Sequence, residues 1–168
     1  MNLLVIRHAI AEDKDAFATT GADDSARPLT KQGRKRMKEV VRGLRWVVPT
    51  IDVLASSPFV RAMQTAEIVA QGYDGPAPIE VTSLVPGGRA DEFVTWLVGQ
   101  GGDVTVAIVG HEPSLGQLAS GLLAAKSHFI EFRKGGACLI TWPGVPAAAS
   151  GQLRWLLEPK QLRRLAAA

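Results

Sequence analysis

The 168 residues predict an α/β fold, a three-layer α/β/α sandwich around a mostly parallel sheet. Three observations carry that reading. Short apolar runs alternate with segments whose apolar residues recur every three or four positions, the order of strands joined by crossover helices. The clearest runs are apolar throughout, as in strands covered on both faces. The composition is globular, 46% hydrophobic and 21% charged, and with no repeat or linker residues 1–168 read as one domain.

The first strand is predicted over residues 3–6, where Leu3, Leu4, Val5 and Ile6 run uninterrupted. Residues 9–29 are polar and read as one long loop, a lid or rim beside the first strand's end; structureless loops beyond about 12–15 residues tend to be functional. Thr30 is a plausible N-cap for a helix with Met37, Val40, Val41, Leu44 and Val48 on one face, closed by Pro49. A second strand at 53–55 ends in Ser56, Ser57 and Pro58, and a helix follows over 59–71. A short strand at 79–81 precedes a helix carrying Phe93, Val94, Trp96 and Leu97. The strand over 104–109 ends in Gly110-His111, and Pro113 suits the first position of the next helix. Residues 137–142 and 152–157 form a closing strand pair, and a basic helix over 159–165 ends the pattern.

Composition removes several functions. Lys and Arg number 19 against 16 Asp and Glu, a surplus too small to argue for nucleic acid. Trp46, Trp96, Trp142 and Trp155 are scattered without interleaved basic residues. Cys138 is the only cysteine, which excludes an intrachain disulfide and a cysteine-based zinc site, and its apolar surroundings place it in the core. No stretch is long enough to span a bilayer or to serve as a signal peptide, so the expectation is a cytoplasmic protein without a membrane partner. Nothing marks a subunit interface, and a monomer is the default.

Ligands of open α/β sheets sit at the carboxyl ends of the strands. Three strands here end in Arg7-His8, Ser56-Ser57 and Gly110-His111, so two of the three histidines fall on that rim. Arg61 lies at the start of the helix after the second strand, where the helix dipole already favours an anion. Arginine forks suit phosphate oxygens, and an imidazole can attack phosphorus. Arg7, His8, Arg61 and His111, with Ser57 as a further binding residue, therefore read as a dianion pocket whose chemistry needs no metal or cofactor. The competing readings are structural histidines and ion-paired arginines.

Arg7-His8-Ala9 resembles the Arg-His-Gly motif of the histidine phosphatase (phosphoglycerate-mutase-like) superfamily. The run from Ser57 to Thr65, Ser-Pro-Phe-Val-Arg-Ala-Met-Gln-Thr, is similar to its Ser-Pro-x-x-Arg-Ala-x-Gln-Thr helix start, and Gly110-His111-Glu112-Pro113 to its late histidine motif. Arg27-Pro28-Leu29-Thr30-x-x-Gly33, Leu84-x-Pro86-Gly87-Gly88 and Trp155-Leu156-Leu157-x-Pro159 resemble the SixA-type phosphohistidine phosphatases. The similarity spans roughly residues 2 to 160. It implies that His8 is the nucleophile that becomes phosphorylated, that Arg7 and Arg61 bind the phosphoryl group, and that His111 stabilises its charge.

Two departures stand out. Ala9 replaces the motif's glycine, and the stretch 84–88 lacks the acidic residue with which larger members protonate an alkoxide. An ester leaving group gains roughly 10²–10⁴-fold from a general acid, whereas a phosphoimidazole needs less help. The favoured substrate is thus phosphohistidine on a signalling or phosphotransfer protein. A small phosphomonoester, with Glu112, Asp91 or Glu92 as a displaced acid, is the alternative; a non-catalytic phosphate- or partner-binding module is the second.

Three weaker features complete the reading. Lys31, Arg34, Lys35, Arg36, Lys38, Arg42 and Arg45 make a basic helix face, either merely solvated or a docking surface for an acidic phosphoprotein. Glu12, Asp13, Asp15, Asp23 and Asp24 are expected at the pocket edge, repelling free dianions. His128 reads as a surface loop residue remote from the strand ends.

Overall fold

The computed structural model describes residues 1–124 and 128–167. Six strands, β1 (Asn2–Arg7), β2 (Val53–Ser56), β3 (Ile79–Glu80), β4 (Thr105–Gly110), β5 (Ala137–Thr141) and β6 (Gln152–Leu157), form one sheet in the order β3-β2-β4-β1-β5-β6. The pairs β3–β2, β2–β4 and β4–β1 are parallel; β1–β5 and β5–β6 are antiparallel. The expected three-layer, mostly parallel sandwich is therefore present.

Successive side chains of a strand point to opposite faces, and the two cores follow that alternation. Leu4 and Ile6 of β1 pack with Met37, Val40, Val41 and Leu44 of α2 (Lys31–Val47), with Ala62, Ala66 and Val69 of α3 (Val60–Tyr73), and with Leu162 of α6 (Pro159–Leu165). Leu3 and Val5 pack on the other face with Phe93 and Leu97 of α4 (Ala90–Gly99) and Leu115, Leu118 and Leu122 of α5 (Ser114–Ala124). Cys138 lies in that second core, fully buried and opposite Val5. Thr30 caps α2 by accepting the Gly33 N–H at 2.9 Å, while Lys31, Lys35, Arg36, Lys38, Arg42 and Arg45 are exposed. Gly43 lets α2 touch α6: a Cβ there would stand 1.9 Å from the Leu162 carbonyl oxygen.

Residues 9–29 are not structureless. They hold α1 (Lys14–Ala18), a 3₁₀ turn (Asp24–Ala26) and a β-bridge between Ala11 and Leu29. Two of the acidic residues expected at the pocket edge have local roles as well. Asp13 accepts the N–H groups of Asp15 and Ala16, and Asp23 accepts that of Ser25, so both cap the turns they begin. Pro113 stands just ahead of α5 rather than inside it, and Ser114 opens the helix. Among the described residues no helix is long and apolar enough to cross a membrane.

Candidate active site

Three adjacent strands deliver the expected residues to one edge of the sheet. Arg7 ends β1 and pairs in register with Gly110 at the end of β4, while Ser56 of β2 pairs with Val109. The chain beyond each end stays tied to its neighbour: His8 N–H donates to Gly110 O at 3.1 Å, and Ser57 N–H to Val109 O at 3.0 Å. His8, Ser57, Arg61 and His111 are all buried, and the two imidazole centroids lie 5.1 Å apart. The ladder that builds the sheet therefore also sets the spacing of the histidines.

The ring nitrogens of His8 are distinguished by their surroundings. Nδ1 lies 2.7 Å from the carbonyl oxygen of Ala9, which can only accept, so Nδ1 carries the proton. Burial pushes the His8 pKa down to about 3, and the neighbouring His111, Arg61 and Arg7 act in the same direction; the Ala9 carbonyl opposes them. The ring is therefore neutral, with a free lone pair on Nε2. His111 is likewise pushed down to about 3, first by burial and then by Arg61, with Asp24 opposing. Its Nε2 is 2.8 Å from Ser57 Oγ, and Phe59 meets its ring edge-on.

The arginines are held at one end and unpaired at the other. Arg7 donates through Nη1 to Phe132 O. Arg61 donates through Nη1 to Asp24 O at 2.8 Å, and its Nη2 faces Asp24 Oδ2 at 3.1 Å. Among the described residues, Arg7 Nε, Arg61 Nε and His111 Nδ1 are buried without a hydrogen-bond partner. Uncompensated buried nitrogens of this kind are costly in a finished core and suit an incoming anion.

The Gln-Thr end of the 57–65 motif has a visible purpose. Thr65 Oγ1 accepts the Ala9 N–H at 3.1 Å and donates to Arg61 O at 2.7 Å, so one hydroxyl links the residue after His8 to the helix of Arg61. Gln64 Oε1 accepts the Leu29 N–H at 2.9 Å. Ala9 itself is absent from the positive-φ residues, so its backbone makes no demand that only glycine could meet.

A family model described as histidine phosphatase superfamily (branch 1) matches residues 3–84. An uncharacterized protein of Picosynechococcus is 34% identical over 139 residues, covering 81% of this chain and 82% of its own. The chain belongs to the histidine phosphatase superfamily. Its likeness to SixA-type proteins runs over nearly the whole chain. Phosphohistidine phosphatase SixA of Escherichia coli is 26% identical over 166 residues, covering 97% of both chains. The solved structure of the protein histidine phosphatase SixA complexed with tungstate superimposes with a TM-score of 0.83 at 25% identity, over 96% of this chain and 99% of that one.

Several residues of this chain have partners that the sequence did not indicate. Asp24, expected to repel anions at the rim, occupies the Arg61 fork and also accepts from Arg27 Nε at 2.8 Å. Hydrogen bonding to Arg27 holds the Asp24 carboxyl below the usual carboxylate range, with Arg61 adding to the effect, so it is no proton donor at neutral pH. Arg27 is itself buried, and its Nη1 donates to Glu12 O at 2.7 Å. In the sequence Arg27 reads only as part of a helix entry; the aspartate three residues before it is the available signal. Asp91 and Glu92 are exposed on α4 and pair with Arg89. His128 does lie on a loop, but not remotely: its Nε2 is 3.7 Å from Glu112 Oε2, beside the end of β4.

Proposed function

We propose that this chain hydrolyses phosphohistidine on a signalling or phosphotransfer protein, through a phosphorylated His8. The arrangement that carries the reading is a neutral His8 whose Nδ1 proton is engaged by Ala9, set among the unpartnered nitrogens Arg7 Nε, Arg61 Nε and His111 Nδ1. His8 Nε2 attacks phosphorus, the new N–P bond forms as the substrate's N–P bond breaks, and the released imidazole nitrogen takes a proton from solvent. Arg7 and Arg61 bind the equatorial oxygens. Ser57 donates its hydroxyl to His111 Nε2, which leaves the His111 proton on Nδ1 for the same oxygens. Water then cleaves the His8–phosphorus bond, giving inorganic phosphate and regenerating the neutral imidazole. The SixA relative was solved as a complex with tungstate, an oxyanion, which supports an oxyanion as ligand of this chain.

The leaving group decides between phosphohistidine and an ester. Glu112, the nearest candidate acid in the sequence, directs Oε1 to Phe132 N–H at 2.9 Å and Oε2 toward His128. With Oε1 engaged by Phe132 N–H and no carboxylate in the 84–88 stretch, the residues favour a substrate whose departure needs no carboxylic acid. The test compares a histidine-phosphorylated phosphotransfer protein with a panel of small phosphomonoesters, chelator present throughout and His8→Ala as control. Fast, His8-dependent loss of phosphohistidine with slow ester turnover is expected, together with an acid-labile phosphoenzyme. Efficient ester hydrolysis would overturn the substrate assignment, and no His8-dependent activity on either would overturn catalysis itself.

A further inference from the structure

Glu112 performs a task that the pocket residues do not. Its side chain is 9% exposed, and its Oε1 accepts the N–H of Phe132, a residue 1% exposed in the core beneath the α4–α5 layer. The carbonyl of Phe132 in turn accepts from Arg7 Nη1. Phe132 is thus held at both ends, by a carboxylate beside His111 and by the guanidinium beside His8. The following turn closes around the same place: Gly135 N–H reaches Arg7 O and His8 O at 3.2 Å each, and Arg7 N–H donates to Gly136 O at 3.0 Å. We propose that Glu112 is a positioning residue for Arg7, acting through Phe132 to fix the guanidinium with Nη1 engaged and Nε left for the phosphoryl group.

Physical reasons converge on this assignment. An arginine side chain loses rotamer entropy when it is ordered, and pinning it before substrate arrives removes that loss from binding. A buried carboxylate also needs compensation, and Oε2 has no hydrogen-bond partner among the described residues. Glu112 therefore has its nearest compensation in the Phe132 N–H, the His128 ring and the cationic field of Arg7, to whose charged form it contributes. Those ties make Glu112 a fixed strut.

The inference rests on Arg7 as a phosphoryl ligand, and a double-mutant cycle separates the two claims. Tungstate affinity is measured by calorimetry, and kcat and KM on the phosphorylated protein, for the native chain, Glu112→Ala, Glu112→Gln, Arg7→Ala and the double variant Glu112→Ala/Arg7→Ala. Glu112→Ala is expected to weaken tungstate about tenfold, the scale of one lost hydrogen bond to an ionised group. Glu112→Gln keeps a carbonyl acceptor for Phe132 N–H and stays within about threefold of native. In the Arg7→Ala background, removing Glu112 is expected to cost nothing further. Glu112→Leu fills the buried space without an acceptor and enters the same cycle if the alanine variant does not fold. Native tungstate affinity in Glu112→Ala, or its full loss persisting without Arg7, would overturn the positioning role. Native affinity in Arg7→Ala would instead overturn Arg7 as a ligand.

Discussion

The buried, neutral histidines make stability depend on pH in a defined window. In the unfolded chain an imidazole binds a proton near pH 6.5; in the folded chain His8 and His111 are pushed down to about 3. Between those values the unfolded state binds more protons, so stability falls as pH falls. For one histidine the loss from pH 7.5 to pH 5 is about 2 kcal/mol, and for two about 4 kcal/mol, a large share of the 5–15 kcal/mol typical of a domain. Urea unfolding followed by tryptophan fluorescence at pH 7.5, 6.25 and 5, in buffers free of phosphate, measures it. His8→Gln and His111→Gln should each remove about half of the pH-dependent loss, and the double variant nearly all of it. The aspartates held below their ordinary range, Asp23, Asp24 and Asp91, change protonation below this window and leave it clean. A loss under about 1 kcal/mol in the native chain, or an unchanged slope in the double variant, would refute the assignment of two neutral buried imidazoles.

Two further outcomes follow from named contacts. Gly43→Ala places a Cβ 1.9 Å from the backbone oxygen of Leu162 and should cost about 1–3 kcal/mol of stability, read as a lower urea midpoint, with kcat of the folded protein unchanged. Asp24→Asn removes the carboxylate that faces Arg61 Nη2 while keeping the main-chain acceptor for Nη1; because Asp24 is 40% exposed, vanadate affinity should rise only about threefold, and a fall in inhibition assays would make Asp24 a support rather than a competitor.

What the sequence made legible was whatever local chemistry decides. Strands β1, β2 and β4 announce themselves as apolar runs, and their abrupt ends placed Arg7, His8, Ser57 and His111 on one rim before any geometry was known. Short helices were harder: α1 and the 3₁₀ turn are too brief for a periodic pattern, and their caps Asp13 and Asp23 read in the sequence only as pocket-edge charges. The contacts that were missed join segments far apart in the chain, Asp24 with Arg61 and Glu112 with Phe132. Neither leaves a spacing signature, because a loop brings each partner in and only the folded sheet fixes where the loop returns. For His128 the exposed loop was legible, but its approach to Glu112 was not, for the same reason.

Cys138 gives this molecule a clock. It is the chain's sole thiol, fully buried, and cross-strand from Val5, two residues before Arg7. Burial raises its pKa, so the folded form offers a reagent almost no thiolate. Where the reagent is concentrated enough to outpace reclosing, each labelling event counts one opening of the ladder on which His8 is mounted, and the labelling time is the residence time of the assembled rim. Slower labelling with tungstate bound would record that residence time lengthening as the oxyanion holds the strand ends together.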